Sequence, residues 1–160
     1  MGRAFHNLQA WIIQRPLNAK LLHYLLRISK LNVPVLALWN SVPNAYGRCG
    51  CHPDIVYFLW DEIGKALPTD CRALVYGTPA LVHSNSGVIL AIGVGTASGL
   101  LLPSPLASLA TQAGAKTVQR WSTGGEMDLQ KQFGMDWFFD SGIPLQDQLC
   151  LCKEAYEILC

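Results

Sequence analysis

Acidic residues are missing from the first third of this 160-residue chain: the first 53 residues contain no Asp or Glu. They carry Arg3, Arg15, Lys20, Arg27, Lys30 and Arg48, a local charge of +6. The remaining residues hold all 11 acids and the other six bases, a balance of −5. A net charge of +1 therefore hides a strong asymmetry, which marks two parts with different partners or histories. A second absence lies further on. From Ala73 to Leu102 there is no Asp, Glu, Lys or Arg, so this stretch must be mostly buried. No apolar run approaches the roughly 18–20 residues of a membrane-spanning helix. The longest candidate, Val88 to Leu102, has 15 residues and is broken by Gly93, Gly95 and Gly99. Only four histidines are present, and no phosphate-loop sequence, serine–histidine–aspartate spacing or glycosidase-like carboxylate pair is visible. Gly93-Val94-Gly95 follows a strand pattern, but Ser98 stands where a dinucleotide fingerprint needs its third glycine.

What is present is a core. Half of the residues are apolar, 51%, and charged residues make up 14%, which excludes a disordered chain. The stretch from Ala73 to Leu102 reads as three short antiparallel strands around which the rest is organised. Gly77-Thr78-Pro79 interrupts the first run, and a proline that cannot donate to a ladder belongs at a strand end or bulge. Ser84-Asn85-Ser86-Gly87 is a turn. Gly93, Gly95 and Gly99 permit a bulge or a close backbone approach.

On the N-terminal side, Leu17, Leu21, Tyr24, Leu25 and Ile28 form an apolar stripe at helical spacing, and Lys20, His23, Arg27 and Lys30 form a basic one. This basic amphipathic helix has three possible roles: a solvated face packed by its apolar side, a docking surface for anionic lipid or nucleic acid, or a leader segment. Leu31 to Trp39, with Pro34, reads as an edge strand or docked arm. Asn40 to Cys51 is turn-rich. The expected organisation is a basic helical extension and linker over residues 1–48, then a single domain over residues 49–160.

Within that domain, Pro53 to Leu67 is a helix, with Pro53 at its first position and Asp54 favouring the helix dipole. A helix follows Ser104-Pro105 and ends at Gly114. Lys116 to Trp121 is a strand, and Met135 to Phe139 is a last extended segment. Pro144 opens a terminal helix with Leu145, Leu149, Cys152, Tyr156 and Leu159 on one side. The fold class is α+β: a small antiparallel sheet with helices packed mainly on one face, plus the N-terminal basic amphipathic helical extension.

This order of elements resembles the TfoX N-terminal domain and the related YjbR/MmcQ-like proteins. The resemblance covers residues 53–160. It rests on Val75-Tyr76-Gly77-Thr78-Pro79-Ala80-Leu81, Gly87-Val88-Ile89-Leu90-Ala91, Leu100-Leu101-Leu102-Pro103, and Asp136-Trp137-Phe138-Phe139 followed by Pro144 and the helix of Tyr156. The group usually has Met-Phe-Gly-Gly where Tyr76-Gly77-Thr78 stands here, and a lysine in the strand occupied by Leu100 to Leu102. The resemblance implies binding rather than catalysis and supplies no catalytic residue.

The candidate sites follow. Cys49-Gly50-Cys51-His52 is the densest set of metal ligands, but one residue between the cysteines falls short of zinc-site spacing, so no metal and no cofactor is expected. With Cys71, Cys150, Cys152 and Cys160 these are expected to be free thiols in a reducing, cytoplasmic setting. His83, beside a turn, reads as a surface histidine. Tyr76, Gly93, Gly95, Trp121 and Trp137 are the candidate lining of a ligand or partner groove, should a tryptophan be exposed beside the glycines. The functional expectation is a non-enzymatic binding or regulatory module that self-associates, as a dimer, and contacts a protein or small molecule. The alternatives are an enzyme with a Cys/His site, or a basic arm recruiting the domain to nucleic acid or anionic lipid. The acidic domain alone is a poor match for nucleic acid, because phosphate contacts need cations.

Overall fold

A computed structural model describes residues 2–28, 34–41, 52–68, 71–94, 97–122 and 124–159. The fold is α+β. Helix α1 (Gly2–Gln14) leads through a 3₁₀ turn (Pro16–Asn18) into α2 (Ala19–Ile28), and a short strand β1 (Leu36–Leu38) follows. Helix α3 covers residues 53–66 and widens into a π turn over Phe58–Ile63. Four strands come next: β2 (Arg72–Val75), β3 (Thr78–Val82), β4 (Ile89–Val94) and β5 (Ala97–Leu101). Then come α4 (Leu106–Gln112), a hairpin of β6 (Val118–Arg120) and β7 (Glu126–Asp128), α5 (Leu129–Gln132), β8 (Trp137–Phe139) and α6 (Leu145–Ile158).

The main sheet has six antiparallel strands in the order β1-β2-β3-β4-β5-β8. The apolar stretch from 73 to 102 thus holds four strands where the sequence suggests three. The chain reverses between Val94 and Ala97 inside what looks like one glycine-rich run, and the two limbs pair Gly93 with Ser98. The first reversal is the two-residue turn Tyr76-Gly77, both with positive φ (48° and 77°), as two-residue hairpins prefer. Pro79 follows inside β3, where pairing with β4 begins only at Ala80, so its missing N–H falls outside that ladder.

Alternation along the strands divides the core in two. Leu74, Leu81, Leu100 and Phe138 face a cluster built with α3, α4 and α6. Val75, Ala80, Val82, Ile92, Leu101 and Phe139 face the other way, against Ile12, Leu21, Leu25, Leu129 and Phe133. The register slips between Leu81 and Val82, so that Leu81 pairs with Ala91 and Val82 with Ile89. Leu90 is the extra residue, and it joins Ala91 on the first face while Ile89 and Ile92 stay on the second.

Helices α3, α4 and α6 lie on the first face. The basic N-terminal helices cover the second, and Leu36 to Leu38 extend the sheet beside β2. A boundary at residue 48 therefore leaves one sheet edge and the lid of one core on its N-terminal side. The attachment is polar as well as apolar. Asn18 is buried, and its amide donates to the carbonyls of Ile12 (3.0 Å) and Gly87 (2.8 Å) while its oxygen accepts from the Ile89 N–H (2.9 Å). Arg15 Nε donates to the Ser86 carbonyl. Gly87 has φ +79°, and a Cβ there would stand 2.6 Å from Cβ of Trp11, so no other residue allows this approach. Of the predicted stripe, Leu21 and Leu25 of α2 are buried, whereas Leu17 in the 3₁₀ turn and Ile28 at the end of α2 remain exposed.

Candidate functional site

The residues expected to line a groove are dispersed. Tyr76 occupies the β2–β3 turn, half-buried against the second core. Gly93 is buried inside β4, and Gly95 lies outside the described residues. Trp137 is 1% exposed and packs edge-on to Phe133 with ring centres 5.4 Å apart, so it belongs to the core and presents no surface to a ligand. Trp121 keeps partial exposure beside Gly125 in the β6–β7 hairpin. Gly99 is where the close approach occurs: a Cβ there would meet Leu129 at 3.2 Å and Trp137 at 3.4 Å. Cys49 and Cys51 lie outside the described residues. His52 caps α3, its Nδ1 accepting from the Asp54 N–H at 3.1 Å. Among the described residues no group of three or more His, Cys, Asp or Glu could hold a metal ion.

His83 is fully buried, which corrects the expectation of a surface residue. Its ring stacks on Tyr156 of α6 with centres 4.0 Å apart, and Nε2 lies 3.0 Å from the Tyr156 carbonyl. Nδ1 accepts from the Asn85 N–H at 3.1 Å. Both nitrogens are thus committed if Nε2 carries the proton and the ring is neutral. Burial holds its pKa below 6.5, outweighing the Tyr156 carbonyl and the Glu157 carboxylate, which favour the cation. Cys152 is buried, and desolvation, helped by the Asp140 carboxylate, pushes its thiol up to about 12. Burial also raises the Asp140 carboxyl, against the N–H groups of Ser98, Ser141 and its own backbone.

An open concavity lies elsewhere. A groove of about 850 Å³ runs between α4, the start of β6 and the segment before β8. Its apolar lining is Ala107, Ala115, Val118, Met135 and Phe138. Met135 is 74% exposed, a large apolar side chain with no core to fill. Thr111, Gln112, Lys116, Gln130 and Asp136 supply the polar rim. Gln130 donates to the Met135 carbonyl and steadies that segment. The chain crosses the end of the sheet here because the Phe139 N–H bonds the Lys116 carbonyl at 2.7 Å, joining β8 to the approach of β6. Sequence reasoning missed this groove because no periodicity marks it. The one local signal is Met135 standing alone between Gly134 and Asp136.

The groove is open to solvent, and it can contact an apolar group and orient it with hydroxyl and amide contacts, with one cation and one anion at its rim. Its lining contains no Cys, His or Ser–His pair. Comparison with protein-family models, with curated proteins and with solved structures finds no match. The architecture and the groove define an α+β protein with an open, amphipathic cleft at one end of its sheet. Among the described residues no helix is long and apolar enough to cross a membrane.

Proposed function

We propose that this chain is a non-enzymatic binding or regulatory module that contacts a protein segment or small molecule and self-associates. The observation that carries the reading is the groove at Met135. An exposed methionine within an apolar lining adapts to varied apolar groups, and the mixed rim offers orientation without a reactive centre. The alternative, a thiol or His83 acting as a catalytic pair, draws less support. His83 has both nitrogens engaged under Tyr156, and the Cys152 thiol stays protonated at ordinary pH. The resemblance of residues 53–160 to the TfoX N-terminal and YjbR/MmcQ-like proteins leans the same way.

An NMR screen of apolar fragments and short apolar peptides against the ¹⁵N-labelled chain tests the reading. Shifts should concentrate at Thr111, Lys116, Val118, Gln130 and Met135, saturate, and leave the ligand unchanged. Met135→Glu should weaken binding about tenfold or more, since a charge there opposes an apolar ligand. Shifts centred elsewhere, or chemical conversion of the ligand, would overturn it.

A further inference from the structure

The charge asymmetry of the sequence becomes an asymmetry of faces. Helices α1 and α2 cover one face of the sheet and expose Lys20, His23 and Arg27. Helices α3, α4 and α6 cover the other and expose Asp54, Glu62, Asp147, Glu154 and Glu157, against Lys65 and Lys153. Each face also displays exposed large apolar side chains. Ile13, Leu17, Leu26 and Ile28 are all about half-exposed on the basic side. Tyr57, Leu109, Leu145 and Ile158 are exposed on the helices of the acidic side. These eight, with Val118 and Met135 of the groove, are all ten large apolar residues that are exposed among the described residues.

The acidic side is also concave. A cleft of about 420 Å³ between α4 and α6 has Leu109, Ala113 and Leu151 on its walls and Asp147 and Glu154 at its rim. On α2, Lys20, His23 and Arg27 form one basic stripe, and the exposed Leu26 lies beside it, three residues from His23. A basic stripe flanked by an exposed leucine meets an apolar cleft edged by carboxylates.

From this complementarity we infer that a second copy of the chain docks its α2 face into the α4–α6 cleft. A lipid surface accounts for the basic side alone and leaves the apolar residues of the acidic side without a role. Nucleic acid gains nothing from Leu17, Leu26 and Ile28. A symmetric dimer through either face sets like charges against each other, so the contact is head-to-tail. Such a contact leaves one face open at each end, and copies add until a ring closes or the concentration limits growth. This identifies the surface behind the self-association in the proposed function; it does not involve the Met135 groove.

Light scattering after size exclusion, on the full chain, reads the outcome. Wild type should exceed the 17.6 kDa chain mass, rise with protein concentration and fall back as salt is added. The pair Lys20→Glu and Arg27→Glu should give a monomer, and so should the pair Asp147→Lys and Glu154→Lys. Mixed together, the two variants should associate again and exceed the mass of either alone, because the acidic cleft of one meets the basic α2 of the other and the two reversed faces are themselves complementary. Leu26→Gln, which leaves the charge untouched, should also lower the mass. Met135→Glu should leave it unchanged, which separates failure here from failure of the groove. A wild type that stays monomeric, a mixture that does not pair, or a chain that instead floats with phosphatidylserine vesicles or shifts on duplex DNA would overturn the inference.

Discussion

His83 joins the turn before β4 to the last turns of α6 through one ring, and its protonation state matters to both. A second proton on Nδ1 would face the Asn85 N–H, donor against donor. Its pKa in the fold lies below 6.5, so the unfolded chain takes up the proton first as pH falls. The stability it contributes is complete above 6.5 and declines as pH drops toward the depressed folded value. Asp140 acts with the opposite sign. Its folded pKa lies above 3.8, so it favours the fold more as pH falls through that window. Urea unfolding of wild type and His83→Gln at neutral and mildly acid pH separates the two. Wild type should lose stability on acidification below 6.5, and the variant should show a flatter profile. An unchanged profile would mean that the ring titrates freely. From sequence, His83 beside Ser84-Asn85-Ser86-Gly87 suggested solvent. What covers it is Tyr156, more than seventy residues away, and no local pattern records that contact. Trp137 reads first as core and as groove only if exposed, and its burial against Phe133 places it in the core.

At the scale of elements, the sequence is most legible where a single period runs unbroken. The helix from Pro53, the strand from Val88 and the terminal helix after Pro144 follow from proline placement and apolar spacing. The fourth strand and the bulge at Leu90 are less legible, because no charge or proline marks the reversal between Val94 and Ala97 and the slip falls inside the unbroken apolar run Val88 to Ile92. The groove is least legible, since it is a space between α4, β6 and β8 rather than a property of any one of them. The clip of Asn18 to the β3–β4 turn belongs to this scale too. Asn18→Ala removes three hydrogen bonds and strands a buried N–H and two carbonyls, a loss of about 3 kcal/mol. Gly87→Ala drives a methyl into Trp11 at a positive φ and should destabilise by roughly 2–4 kcal/mol. Chemical denaturation measures both, and amide hydrogen exchange should show α1 and α2 losing protection first. Equal loss across the whole chain would mean that the clip holds more than these helices.

For the whole molecule, the issue is what residues 1–48 cover. Ala73, Val75, Ala80, Val82, Ile89 and Ile92 form one side of the sheet, and Ile12, Leu21 and Leu25 lie over them. Residues 49–160 alone would expose that side and lose β1 from the edge beside β2. The fragment should bind a hydrophobic dye, aggregate, and melt without a sharp transition, as circular dichroism and light scattering can report. A monomeric fragment with a cooperative melt would show that the basic helices are dispensable to the fold. The sequence made the helix and its charge visible but not its seat, because an amphipathic stripe says that something is covered without saying what.

The six-stranded sheet separates two cores by the thickness of one backbone, and successive residues of a strand serve opposite sides. A substitution at Leu81 is felt beneath α3, while one at Ala80 or Val82 is felt beneath the N-terminal helices. The two sides can therefore accumulate changes on separate schedules. Descendants of this chain could rewrite one outer surface wholesale while inheriting the other intact.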